Sequence, residues 1–127
     1  MIENYYMYLL CCWKSKKAFD NNIPLYGHII YCGYTSNIFQ RLVEHITGKG
    51  NYNSKRPSYT KQFHGNIKLA YLETFKTRSE AMKRENEFKF PNIVEREVKI
   101  KMIKDFRKKH PEILEFVEKN VELLLLN

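Results

Sequence analysis

A chain of 127 residues with 43% hydrophobic and 14% aromatic side chains suits one domain around one core, and 22 Lys and Arg against 14 Asp and Glu leave it at +8. No run of about 18 uncharged apolar residues occurs, and MIENYYMYLLCCWKSKK places its charge after a short apolar stretch, the reverse of a secretory signal. A membrane span is therefore excluded, and the expectation is a soluble intracellular protein, cytoplasmic or, in a eukaryote, nuclear. Cys11, Cys12 and Cys32 are odd in number and lack zinc-ligand spacing, so reduced thiols are expected, without a disulfide framework or structural metal.

YYMYLLCCW, residues 5–13, reads as a strand: aromatic, apolar and too short for a helix. KSKKAFDNNIPLYG, with its Asn, Pro and Gly breakers, reads as a long connection between hairpin strands. HIIYCGYT is the second strand, with Ser36 or Asn37 capping a helix over 38–48 that ends at TGKGN. A basic loop then runs to about Asn66, IKLAYLETF over 67–75 is a third strand, and Thr77 with Glu80 forms a capping box opening a helix over 78–90. Pro91 interrupts it, and helices follow over 93–108 and 111–125, the second with Pro111 in its first turn. The expectation is a small α/β (α+β) domain with a largely antiparallel three-stranded sheet in β-β-α-β-α order over residues 1–90. A helical extension, 91–127, packs on the same domain.

The charge is regional. Residues 1–90 hold 14 basic against 7 acidic side chains, and residues 91–127 hold 8 against 7. Between Glu44 and Glu73 there is no acidic residue, whereas Lys49, Lys55, Arg56, Lys61 and Lys68 fall there among Tyr52, Tyr59 and Phe63. Cations neutralise phosphates and aromatics stack on bases, so these five residues are the expected nucleic-acid contacts. A solvated basic loop that binds nothing is the competing account.

On a helical wheel Arg41 and His45 lie side by side at the edge of the apolar stripe of helix 38–48, placed to project toward Tyr31. In helix 78–90, Glu85 falls amid Ala81, Met82 and Phe88, with Glu80, Lys83 and Glu87 pointing away. A carboxylate there needs a partner: an arginine such as Arg41, a hydrogen-bond donor, or a metal ion.

The order YMY, then YCG, then an arginine ten residues after that tyrosine, a histidine four later and a glutamate on a following helix resembles the GIY-YIG nuclease domain over about residues 5–90. It is similar to the small stand-alone members and to the amino-terminal incision domain of bacterial nucleotide-excision repair. The resemblance implies a DNA endonuclease that hydrolyses phosphodiesters with one divalent ion, Mg²⁺ or Mn²⁺. Tyr8, Tyr31, Arg41, His45 and Glu85 stand on its active-site positions: Glu85 as metal ligand, Tyr8 favoured over Tyr31 as base, and Gly33 as the glycine ending the strand tightly. Tyr34 replaces a lysine found in some members, and an asparagine that some add downstream has no secure equivalent here. Two other classes remain open: a non-catalytic nucleic-acid-binding module, and an interaction adaptor working through the carboxy-terminal helices. VELLLLN is read either as packing on the domain or as a surface for a partner such as a second copy of the chain.

Overall fold

The computed structural model describes residues 4–21, 29–49, 59–89 and 94–126. Its sheet has three strands, β1 (Tyr5–Cys12), β2 (Ile29–Thr35) and β3 (Ile67–Phe75), in the order β2-β1-β3 with both pairings antiparallel. Being central, β1 is covered on both faces, and Met7 through Cys12 expose no surface, which is why its sequence is a continuous apolar run. Alternate side chains serve opposite faces: Tyr8, Leu10 and Cys12 on one, Met7, Leu9 and Cys11 on the other.

Helices complete the layers. On the Tyr8 face lie α2 (Ile38–Thr47) and α5 (Pro111–Leu125), which contribute Ile38, Leu42, Leu114, Val117 and Val121. On the other face α3 (Arg78–Lys89) and α4 (Arg96–Lys109) contribute Phe88 and Ile103. Helix α2 starts where the Gln40 amide donates to Asn37 Oδ1 at 3.2 Å and stops at Gly48, whose φ of 75° is a left-handed conformation that glycine adopts without strain. At the start of α3 the Glu80 amide donates to Thr77 Oγ1 at 3.2 Å, and the threonine hydroxyl in turn donates to Glu80 Oε1 at 2.8 Å.

Several expectations change. The connection after β1 contains a short helix, α1 (Lys16–Asn21): the Ala18 amide donates to Ser15 Oγ, Lys16 pairs with Asp20, and Phe19 packs edge-on against Trp13. The breakers at 22–27 lie outside the described residues. The basic loop ends in a 3-10 helix, Tyr59–Phe63, anchored by fully buried Thr60 and Phe63. On α5, Phe116 is exposed, its ring centroid 6.1 Å from that of Phe39, because Leu114, Val117 and Val121 take the buried side. The near-balanced charge of the tail separates into two unlike helices. Helix α4 carries Arg96, Lys99, Lys101, Lys104, Arg107, Lys108 and Lys109 against Glu97 and Asp105, while α5 carries Glu112, Glu115, Glu118 and Glu122 against Lys119.

No helix of the described residues is long and apolar enough to cross a membrane. Leu123 to Leu126 are exposed at the end of α5. If α4 and α5 belong to the same cooperative unit as the sheet, Ile103→Ala costs about 2–5 kcal/mol in one urea transition. Leu123→Ala, already in water, changes stability by less than about 0.5 kcal/mol.

Candidate active site

Strand β2 is an edge, with α2 packed on one side of the sheet and α3 on the other, so side chains of both helices meet around it. There they wall a cleft of about 570 Å³ whose lining includes Tyr8, Tyr31, Arg41 and Glu85, together with Arg78 and Lys89. Four of the five expected catalytic side chains thus share one cavity. The fifth, His45, stands behind Tyr8 instead of at a half-exposed helix border, and only 1% of its surface is accessible. Its ring centroid is 5.1 Å from that of Tyr31, and its Nε2 is 2.8 Å from the Tyr8 hydroxyl.

Tyr8 reaches this position because of the residue beside it. Register pairs Tyr8 with Gly33, and a Cβ on Gly33 would lie 2.5 Å from Tyr8 Cζ and closer still to its hydroxyl oxygen. Gly33 sits within β2, so the glycine is required by the phenol lying over it and not by the end of the strand. The positive charge of Arg41 also bears on the Tyr8 oxygen, while its guanidinium donates to Glu44 Oε1 at 3.1 Å. A third hydroxyl completes the chain: Thr60 Oγ1 lies 2.7 Å from His45 Nδ1.

The electrostatics of this buried chain favour neutral partners. Burial raises the Tyr8 phenol well above the usual tyrosine range, and the opposing pull of Arg41 offsets this only in part. Burial first, and then the positive charges of Arg41 and Lys89, push His45 down to about 3. At neutral pH the pair is therefore an un-ionised phenol and an un-ionised imidazole.

Glu85 lies at the border of the buried face of α3. Ala81 and Phe88 are fully buried, but Met82 is 38% exposed, so the apolar stripe is narrower than the wheel implied and the carboxylate falls on its cleft side. Its side chain is 12% exposed, and its ion pair among the described residues is a 3.6 Å contact with Lys89. The salt bridge with Arg41 does not form, because Arg41 pairs with Glu44 one helical turn away. Among the described residues no group of three His, Cys, Asp or Glu side chains converges. Of the two carboxylates lining the cleft, Glu44 is paired with Arg41 at 3.1 Å, and the more loosely paired Glu85 suits Mg²⁺ or Mn²⁺, which keep several waters and accept substrate phosphate oxygens as further ligands.

The expected nucleic-acid contacts are dispersed. Lys55 and Arg56 lie outside the described residues. Lys61, on the 3-10 helix, packs beside Gly48, with exposed Lys49 next to it. Lys68 is on β3, its ammonium 5.0 Å from the centroid of the Phe19 ring and outside the cleft lining. The cations that do line the cleft with Arg41 are Arg78, which donates to the Tyr34 hydroxyl at 3.2 Å, and Lys89, whose ammonium is 5.4 Å from the Tyr31 ring centroid. Neither was singled out from sequence. Lys89 carries the signal of standing four residues after Glu85, and Arg78 that of following the helix cap.

The β2-edge cleft thus gathers paired tyrosines, an arginine one turn from His45 on the next helix, and a carboxylate on α3. The family model for the GIY-YIG catalytic domain matches residues 4–92, and the chain belongs to the GIY-YIG family. Its relatives include small UPF0213 proteins. That of Staphylococcus haemolyticus is 35% identical over 104 residues, 82% of this chain and 99% of the relative, and that of Staphylococcus saprophyticus is 30% identical with the same coverage. A UPF0213 protein of Staphylococcus epidermidis is 38% identical over 76 residues, 60% of this chain and 80% of its own. No solved structure matches the chain.

Two measurements follow from the buried chain. Gly33→Ala is expected to lose about 1–3 kcal/mol by overpacking. Because the hydroxyl is the atom met first, Gly33→Ala should cost less in a Tyr8→Phe background than in the parent, read as a double-mutant cycle of urea unfolding. His45, held near 3 in the folded chain against an ordinary 6.5, excludes a proton that the unfolded chain binds. Its contribution to stability is complete above about pH 6.5 and falls by up to about 1.4 kcal/mol per pH unit as pH drops toward 3. Unfolding curves of the parent and His45→Gln over this range should therefore converge as the pH falls.

Proposed function

We propose that the protein is a divalent-metal-dependent DNA endonuclease. The observation that carries this reading is the Tyr8 oxygen at the floor of the cleft, hydrogen-bonded to His45 and sharing that cleft with Arg41 and the Glu85 carboxylate.

The cations supply the substrate site. A phosphodiester anion entering the cleft meets Arg41, Arg78 and Lys89, and the planar guanidinium of Arg41 suits bidentate contact with it. At rest Tyr8 exposes no surface. A phosphate that draws Arg41 toward itself uncovers the phenol oxygen at the moment substrate is present. The same phosphate offsets the charge of Arg41 and Lys89, two of the three influences that depress His45. Tyr8 Oη can then take a proton from the attacking water as its own proton passes to His45 Nε2. The water oxygen bonds to phosphorus, the bond from phosphorus to the leaving oxygen breaks, and the leaving oxygen takes a proton from solvent. The Tyr31 hydroxyl helps to orient the water. Glu85 would hold Mg²⁺ or Mn²⁺, which would supply Lewis-acid stabilisation of the charge that develops on the phosphate.

Purified protein incubated with linear, nicked, flapped and four-way-junction DNA plus Mg²⁺ or Mn²⁺ tests the reading. Tyr8→Phe should lower kcat by about 100-fold or more, and leaving His45 without its hydroxyl partner should cost about 1–3 kcal/mol. Glu85→Gln should stay folded, hold DNA at least as tightly and lose cleavage together with metal-dependent thermal stabilisation. A folded Glu85→Gln protein that cuts at the parental rate overturns the metal assignment, and a Tyr8→Phe protein that does so overturns the role of the phenol.

A further inference from the structure

Thr60 belongs to no expected site, yet it is fully buried with its hydroxyl 2.7 Å from His45 Nδ1. The residue before it, Tyr59, stacks on Tyr31 with ring centroids 5.9 Å apart, so one 3-10 helix braces both the tyrosine and the histidine of the cleft. We propose that Thr60 is a positioning residue: it accepts a hydrogen bond from His45 Nδ1–H, fixes the imidazole as the Nδ1–H tautomer, and so keeps Nε2 as the acceptor for the Tyr8 proton. The effect on cleavage rests on the nuclease reading above; the tautomer does not.

The direction of the chain follows from what each group can do. The positive charge of Arg41 bears on the Tyr8 oxygen and favours lone pairs turned toward the guanidinium. Tyr8 presents no surface to water, so its hydroxyl hydrogen needs an acceptor inside the protein, and the one it meets is His45 Nε2 at 2.8 Å. A neutral imidazole carries one N–H, which is then on Nδ1, facing the threonine oxygen. The order is Tyr8 to His45 to Thr60, each donating to the next. Reversing the imidazole would aim an Nε2–H at the Tyr8 oxygen and take from the buried phenol hydrogen the acceptor it meets. The Thr60 hydroxyl supplies the acceptor without which a buried Nδ1–H is left unpaired, so the Nδ1–H tautomer depends on it.

The test pairs Thr60→Val, which keeps shape and removes the hydroxyl, with Thr60→Ser, which restores it. Two-bond ¹H–¹⁵N spectra of the imidazoles in the full-length protein, without DNA, are expected to show His45 with Nδ1 protonated and Nε2 bare in the parent and in Thr60→Ser, and mixed or inverted in Thr60→Val. Cleavage by Thr60→Val should fall about 10- to 100-fold in kcat with KM unchanged, and Thr60→Ser should recover most of it. A parent whose His45 carries its proton on Nε2, or a Thr60→Val protein with an unchanged tautomer, overturns the proposal. An altered tautomer with parental kcat overturns its link to the reaction. A parent that cuts none of the DNAs refutes the nuclease reading, and the spectra then decide the tautomer by themselves.

Discussion

The site depends on a phenol packed against a backbone. Tyr8 is on the central strand, where neither face has room for solvent, and its ring can lie flat over β2 only because Gly33 has no side chain. Its polar tip is then committed to a buried environment and must find partners there, at a cost of several kcal/mol if it does not. His45 and, through His45, Thr60 meet that requirement. A single close approach in the sheet is in this way tied to α2 and to the 3-10 helix.

Burial also sets the chemistry. The same exclusion of water that raises Tyr8 lowers His45, so the resting pair is electrically quiet and separated from its reactive form by a proton transfer that positive neighbours oppose. An anion between Arg41 and Lys89 changes that balance. In the proposed reaction the substrate's own charge makes the transfer accessible, so no permanently ionised base is needed. Glu85, by contrast, is kept near water and weakly paired, which leaves its oxygens available to a hydrated cation.

The carboxy-terminal helices divide charge that the sequence presents as nearly balanced. Helix α4 is basic and α5 acidic, and both bury an apolar stripe against the sheet or its covering helices. The layers this creates are what hold α2 and α3 on opposite faces of a narrow sheet, and so hold Arg41 and Glu85 on opposite walls of one cleft.

The sequence by itself determined the strands, the main helices and their caps, because these rest on local rules: a period of two or 3.6, an Asn before an apolar run, a glycine after it. All three strand cores and the capping of α2 and α3 were legible in this way, and so was the family, through spacing that places Tyr8, Tyr31, Arg41, His45 and Glu85 in order. Tertiary structure decided what no local rule contains. Gly33 looks like a strand-ending glycine until the phenol of Tyr8, 25 residues earlier, is laid over it. Arg41 has an acid one turn along its own helix and chooses it over Glu85, 44 residues away. Thr60 carries no motif and becomes part of the site only because the chain returns, after fifteen residues, to the buried side of His45. Spacing along the chain specifies which side chains exist; distance through space specifies which of them share a proton.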